Sequence, residues 1–232
     1  MANVKFGGGI VAMSGSIGGT TFSRNKSGAY ARAKSKPINP KTVLQSAVRA
    51  LMAAVSVAWN TTVSVAQRSS WAVYGKNVPS TNKMGESIFL SGYNRYVQGN
   101  MAAQYAGLPA ILDGPTTFTL PGEDPSMAVV VSEATQNIAV TFNALLGWAN
   151  EDDAGMIIQQ GLPQDPSIEF FNGPWRNAGV ILGDSVAPPV TGDAVTVSFP
   201  VVAGQKIFAR ARIILADGRL SDWFRTSILA SA

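Results

Sequence analysis

The chain of 232 residues contains no cysteine and no histidine. The first absence excludes a disulfide framework, a thiolate metal site and a thiol nucleophile. The second removes the commonest general base and the commonest metal ligand, and with them most hydrolase triads and zinc sites. Long apolar runs are missing too. The best candidate, residues 43–58, is interrupted by Gln45 and Arg49 and falls short of the ~18–20 residues of a membrane span, so no membrane partner is expected. The apolar stretch 6–13 is short and broken by glycine, with Lys5 alone ahead of it, and does not read as a secretory signal.

Acidic residues are almost absent from the first part of the chain. Residues 1–100 carry twelve Lys and Arg against one acid, Glu86, a net +11, whereas residues 101–232 carry six against thirteen acids, a net −7. The overall charge of +4 conceals this division. Such asymmetry is a statement about partners: the basic half should seek phosphate or an acidic protein surface, and the acidic half should avoid nucleic acid.

What is present divides into three styles. Residues 1–38 form a basic arm rich in glycine and serine, with no acid between positions 14 and 40. Residues 20–24 and 29–34 alternate like short strands, and Asn25-Lys26-Ser27-Gly28 between them is turn chemistry, so a β-hairpin is expected. A lone two-stranded ribbon is marginal in water. The arm should therefore order against another surface, using Arg24, Lys26, Arg32, Lys34 and Lys36 as cationic contacts and Phe22 and Tyr30 as apolar anchors.

Residues 39–112 read as a helical domain of about three helices. Asn39-Pro40 offers a cap with proline in the first turn, and Thr42-Val43-Leu44-Gln45 fits a capping box. Leu44, Ala47, Val48, Leu51, Val55 and Ala58 then recur as one apolar stripe. A second box, Ser64-Val65-Ala66-Gln67, opens a helix carrying Trp71 and Tyr74, for which Gly75 is the expected terminator. A loop around 79–85 follows. Tyr93, Tyr96, Val97, Met101 and Tyr105 have the spacing of a third helix, stopped by Gly107 and Pro109. Trp59, Trp71, Tyr74 and Tyr96 are expected to close a small core.

From Asp113-Gly114-Pro115 onward, residues 113–232 show alternating runs at 128–132, 137–142, 155–160, 167–171, 178–182, 194–199, 206–213 and 222–229. This is the pattern of a β-sandwich, and the whole is an α+β chain. In the run 207–213 both arginines fall on even positions and apolar residues on odd ones, as a strand with one dry face requires.

Chemistry-bearing patterns are thin. Glu151-Asp152-Asp153 is the densest acidic cluster, with Gly155 to help a bend, but it lacks the ligand spacing of an EF-hand and reads as a solvated turn. The glycines at 7–9 and 15–19 lack the Gly-Lys-Ser/Thr ending of a phosphate loop. Carboxylates such as Asp113, Glu123, Asp124, Glu133 and Glu169 are available for glycosidase chemistry, but no motif singles out a pair. Ser14, Ser16 and Ser27 near Lys26 sit in a setting too loose for catalysis. No enzymatic activity and no cofactor are expected.

Two resemblances follow from these residues. Phe208-Ala209-Arg210-Ala211-Arg212, followed by Ala216-Asp217-Gly218-Arg219-Leu220-Ser221, resembles the late strand and turn of a fibronectin type III or immunoglobulin-like domain. The first half is similar to uncharacterised proteins of bacteriophage and prophage structural gene clusters. That likeness is carried by Ser16-Ile17-Gly18-Gly19-Thr20, Phe22-Ser23-Arg24-Asn25-Lys26-Ser27-Gly28, Pro37-x-Asn39-Pro40, Gln45, Arg49, Trp59, Ser64-x-x-Gln67-Arg68 and Trp71. It implies a phage-encoded structural or accessory protein; together with an arm that must order against another subunit, the expectation is a virion structural protein, located in the particle and assembled in the host cytoplasm. The foremost reading is a capsid decoration or cement protein that grips the shell through its basic arm and helices. A neck, tail or baseplate protein is the alternative, and a nucleic-acid-binding accessory protein, using charge and stacking, the second alternative. Capsid or tail proteins and further copies of the chain are the expected partners.

Overall fold

The computed structural model describes residues 2–35, 39–82 and 84–232. Strands β1 (Ala2–Asn3), β2 (Gly15–Ile17), β3 (Thr20–Asn25) and β4 (Gly28–Ala33) form an antiparallel sheet in the order β1-β4-β3-β2. The expected hairpin is present, with Asn25 opposite Gly28 and Lys26-Ser27 between them. Gly28 takes φ 114, a conformation closed to most side chains. The two outer strands are additions that the sequence pattern did not reveal.

Helix α1 (Val43–Thr61) starts at Thr42, whose hydroxyl accepts the Gln45 N–H at 3.3 Å. The alternative start at Asn39-Pro40 is not used. Lys41 sits at φ 49 and breaks the helical path, while the Asn39 carboxamide oxygen accepts from Lys41 N and from the Arg49 guanidinium. Only half of the expected box forms here, because Gln45 Oε1 has no partner. Helix α2 (Val65–Asn77) shows the complete box: Gln67 N donates to Ser64 Oγ at 3.2 Å and Ser64 N to Gln67 Oε1 at 2.9 Å. Gly75 does not terminate α2 but lies inside it. A Cβ there would stand 2.6 Å from the Leu90 carbonyl oxygen, so this glycine permits close approach of the segment leading to α3. The expected loop that follows is a hairpin of β5 (Pro79–Thr81) and β6 (Ser87–Phe89). Helix α3 (Gly92–Tyr105) ends as expected at Gly107, φ 80, with Gly107 N donating to Gln104 O and Leu108 N to Ala103 O, the paired bonds of a Schellman turn.

Trp71 is the centre of the helical unit. It is fully buried with Val55, Val63, Tyr74, Val78 and Tyr96. Tyr74 and Tyr96 meet its ring edge-on at 6.0 and 5.7 Å, an arrangement aromatic pairs favour. Its indole N–H donates to Leu112 O at 2.9 Å, and Gly114 N donates to Ser70 Oγ at 2.9 Å. Buried Asn100 accepts from Ile111 N and donates to Ile111 O and Tyr96 O. The stretch 111–114 is thus pinned across α2 and α3 and is not a free linker.

The β unit holds seven strands: β7 (Ala128–Ser132), β8 (Asn137–Thr141), β9 (Gly155–Gly161), β10 (Trp175–Leu182), β11 (Ala194–Thr196), β12 (Lys206–Ile214) and β13 (Phe224–Leu229). They form two antiparallel sheets, β11-β8-β7 and β10-β9-β12-β13. One core lies between them, to which β12 contributes Ile207, Ala209, Ala211 and Ile213, the odd positions of the expected alternation. Residues 167–171, expected as a strand, are turn and irregular backbone. Ser167 donates twice to Asp165 Oδ1, closing a local turn that competes with ladder pairing, and Phe171 stacks instead on Phe208 at 5.4 Å. Buried Gln160 bonds Ser198 N, Phe199 N and Phe199 O, replacing ladder partners where the short β11 ends.

The helical and β units share a third apolar cluster of Ala103, Leu108, Ile157, Ile214 and Leu220. At its side Gly99 of α3 meets Gly218, where a Cβ on Gly99 would lie 3.0 Å from the Gly218 carbonyl oxygen. A Cβ on Gly218 would lie 3.2 Å from the tip of the Trp71 ring. The turn before β13 therefore rests on the helical core.

Two stability measurements check this packing. An open helix interior gains about 0.5–1 kcal/mol when glycine becomes alanine. Gly75→Ala should instead lose about 1–3 kcal/mol in denaturant unfolding, the cost of overpacking against a backbone atom. Trp71→Ala should cost about 3–5 kcal/mol and lower the cooperativity of unfolding, since Trp71 touches both units.

Candidate assembly surface

Strand register decides which side chains share a face. Directly paired residues point to the same side of an antiparallel sheet. Phe22 pairs with Ala31, Arg24 with Ala29, Thr20 with Ala33 and Ile17 with Thr20. Phe22 and Arg24 therefore share one face with small residues and Ile17. Ser23 pairs with Tyr30 and Thr21 with Arg32, so Tyr30 and Arg32 occupy the opposite face with hydroxyl side chains. Lys26 lies in the turn, and Lys34 follows β4, its N–H donating to Gly19 O at 2.8 Å. Lys36 lies outside the described residues. The sheet thus gathers the expected contacts into two pairs, each an aromatic and an arginine, back to back.

No described residue from 2 to 54 is buried. The segment has regular strands but no interior. The glycine-rich loop bends along the Phe22–Arg24 face, where Phe6, Val11 and Met13 with Arg24 and Ala29 line an open cleft of about 460 Å³. Val11 remains 93% exposed, so the loop does not close that face. Among the described residues one ion pair ties the sheet to the remainder, Lys5 Nζ to Glu86 at 2.5 Å. The Lys26-Ser27 turn lies beside Ile88 and Phe89.

Helix α1 extends the surface. Of its apolar stripe only Val55 is buried. Leu44, Val48 and Met52 are exposed, and so are Val43 and Val57 on other sides of the helix. Arg49 is the sole charge in its 19 residues. A helix apolar around its circumference is normally enclosed. Its second half meets α3 through Leu51, Val55 and Trp59, while in its first half Leu44 and Val48 rim an open cleft of about 450 Å³ with Met101 and Tyr105 of α3 and Trp175 of β10. The sparse charge of 43–61, rather than the stripe, was the signal for this exposed apolar surface.

Other expected positions have local roles. Asp152 accepts from Ser185 N and Oγ, and Glu151 from Ala216 N; the acidic loop braces neighbouring turns. Among the described residues no three Asp or Glu stand together in a way that could hold a metal ion. The outer face of β12 carries Arg210 between the Trp175 and Trp223 rings, at 4.7 and 4.2 Å, a cation–π stack that the alternation alone did not disclose. No single described helix is long and apolar enough to cross a membrane.

Hydrogen bonds from the Lys5 ammonium and the Asn82 amide hold the Glu86 carboxyl below its usual range. Its pKa is depressed by the folded contact, so the tie is complete above the ordinary glutamate range and is lost as pH falls through the depressed value. Amide chemical shifts of Lys5 and Glu86 should move together in that acidic window, and added salt should weaken the same contact at neutral pH.

No family model matches the chain, and no curated protein matches it.

Proposed function

We propose that this chain is a bacteriophage virion structural protein that decorates or cements the capsid, with its N-terminal sheet and the exposed apolar side chains of the first half of α1 as the gripping surface. The observation that carries the reading is the absence of any buried residue among described positions 2–54, in a segment that is strongly basic and already strand-paired. Sheet faces and apolar helices are stable when covered, and a neighbouring subunit supplies the cover. The short outer strands leave backbone groups free to pair with a further strand. Opposite charge on the shell would speed encounter and orient it.

The β unit suits the outward-facing part. Seven strands in antiparallel sheets of three and four around one core agree with a fibronectin type III or immunoglobulin-like domain. The motif residues 208–212 lie on β12, with the turn 216–221 leading into the last strand. Neck, tail or baseplate location would use the same surface and differ in copy number per particle. Nucleic-acid binding is less well served: Arg24 and Arg32 point to opposite faces, whereas a strand-tracking groove places its cations along one.

Cosedimentation with empty shells lacking the protein tests the proposal. Wild-type chain should bind at physiological salt, and a variant lacking residues 1–35 should keep its helical and β units folded and lose binding. Arg24→Glu with Arg32→Glu should weaken binding at least tenfold. Equal binding by the truncated chain would overturn the assignment, and a steep salt-dependent affinity for DNA without shell binding would replace it with the nucleic-acid reading.

A further inference from the structure

Between the β5–β6 hairpin, α3 and the segment joining β12 to β13 lies a cavity of about 510 Å³, within the size range of small-molecule sites. Its floor is unusual in charge. Arg95 is 6% exposed. It donates to the carbonyls of Val78 and Pro79 and to the Gln98 side chain, all neutral, and its Nε has no partner. Arg212 reaches the same cavity from β12 and donates to Ser221 O, and its Nε is likewise unpartnered. Burial pushes the Arg95 guanidinium below its usual range and Arg212 down to about 10. A buried guanidinium without an anionic partner is costly; Arg95 is such a group, while Arg212 is partly exposed, has the Asp222 charge nearby and lies 4.8 Å from the Trp223 ring centroid.

We propose that this cavity is a binding site for a small monocarboxylate with an apolar body, held at its charged end by Arg95 and Arg212. Charge arithmetic selects the anion. Among the described residues lining the cavity there are two arginines and one acid, Asp222 at the exposed rim, a formal net of +1. A carboxylate cancels it, whereas a phosphate dianion would leave an excess negative charge beside Asp222. The apolar body is selected by Ile88, Leu90, Leu120 and Leu220 on the walls. Entry is between Pro79, Thr81 and Gln98, all exposed, while Tyr74, Arg95 and Ser221 form the buried floor. The guanidinium fork suits carboxylate oxygens in geometry as well as charge. The site is separate from the N-terminal sheet and does not depend on the assembly reading.

Hexanoate is a suitable probe in calorimetric titration of the full chain at constant ionic strength, with 1-hexanol, inorganic phosphate and chloride as comparisons. Hexanoate should bind saturably at one site per chain. Hexanol should bind at least tenfold more weakly, since it lacks the charge, and phosphate should also be weaker. Arg212→Gln should reduce hexanoate affinity at least tenfold with an unchanged circular dichroism spectrum. Arg95→Gln should do the same; because Arg95 also holds two backbone carbonyls, a failure of that variant to fold leaves Arg212→Gln to decide. The proposal is overturned by absence of saturable hexanoate binding to the wild-type chain, by equal affinity in Arg212→Gln, or by phosphate binding more tightly than hexanoate.

Discussion

Trp71 is the residue on which the two folded units converge. Its ring is enclosed by α1, α2 and α3, its N–H is satisfied by the carbonyl of Leu112, and its outer edge receives Gly218 from the β unit. Each contact demands a particular neighbour. Gly99 and Gly218 must lack side chains for α3 and the turn to touch, and Gly114 must lack one because a Cβ would stand 2.6 Å from the Trp71 backbone N. A large buried aromatic ring supplies much of the apolar burial that a small helical unit needs. The same ring fixes the path of the chain into the β unit, so the helical and β units are coupled by packing as well as by sequence.

The sequence made the periodic features legible and hid those set by tertiary approach. Helix starts at Thr42 and Ser64 follow from side-chain chemistry within four residues, and so does the stop at Gly107. Gly75 shows the limit. A glycine near the end of a helical pattern reads as a terminator, yet here it serves a carbonyl from a segment fifteen residues onward, which no local rule contains. The run 167–171 fails for a related reason: alternation was present, but Asp165 and Ser167 close a turn and Phe171 is drawn to Phe208. Outer strands β1 and β2, of two and three residues, are too short for periodicity to register.

The candidate surface was legible in composition and illegible in arrangement. Charge and aromatics marked the segment, but the list from Phe22 to Lys34 reads as one patch until register divides it. A period of two places Phe22 with Arg24 and Tyr30 with Arg32, and the pairing of β3 with β4 turns those sets to opposite sides. A sheet with an aromatic and an arginine on each face is suited to insertion between two surfaces rather than adhesion to one. The α1 stripe misled in the other sense. Leu44 and Val48 have core spacing, but they only rim an open cleft with Met101 and Tyr105 of α3 and stay exposed, so spacing identified a face that wants cover without identifying what covers it.

The cations of the basic half act under two different physical regimes. Arg24, Lys26, Arg32 and Lys34 extend from a coreless sheet into solvent, where their attraction is long-ranged, weak for each pair and screened by salt. They favour encounter with any acidic surface and specify little alone. Arg95 sits at the opposite extreme. Its side chain is buried, its position is set by the carbonyls of Val78 and Pro79, and an incoming anion would meet a donor already held in place. Burial turns the same charge from a means of attraction into a means of selection. Net charge therefore predicts the class of partner for the arm, while the local balance of two arginines and one aspartate predicts the ligand of the cavity.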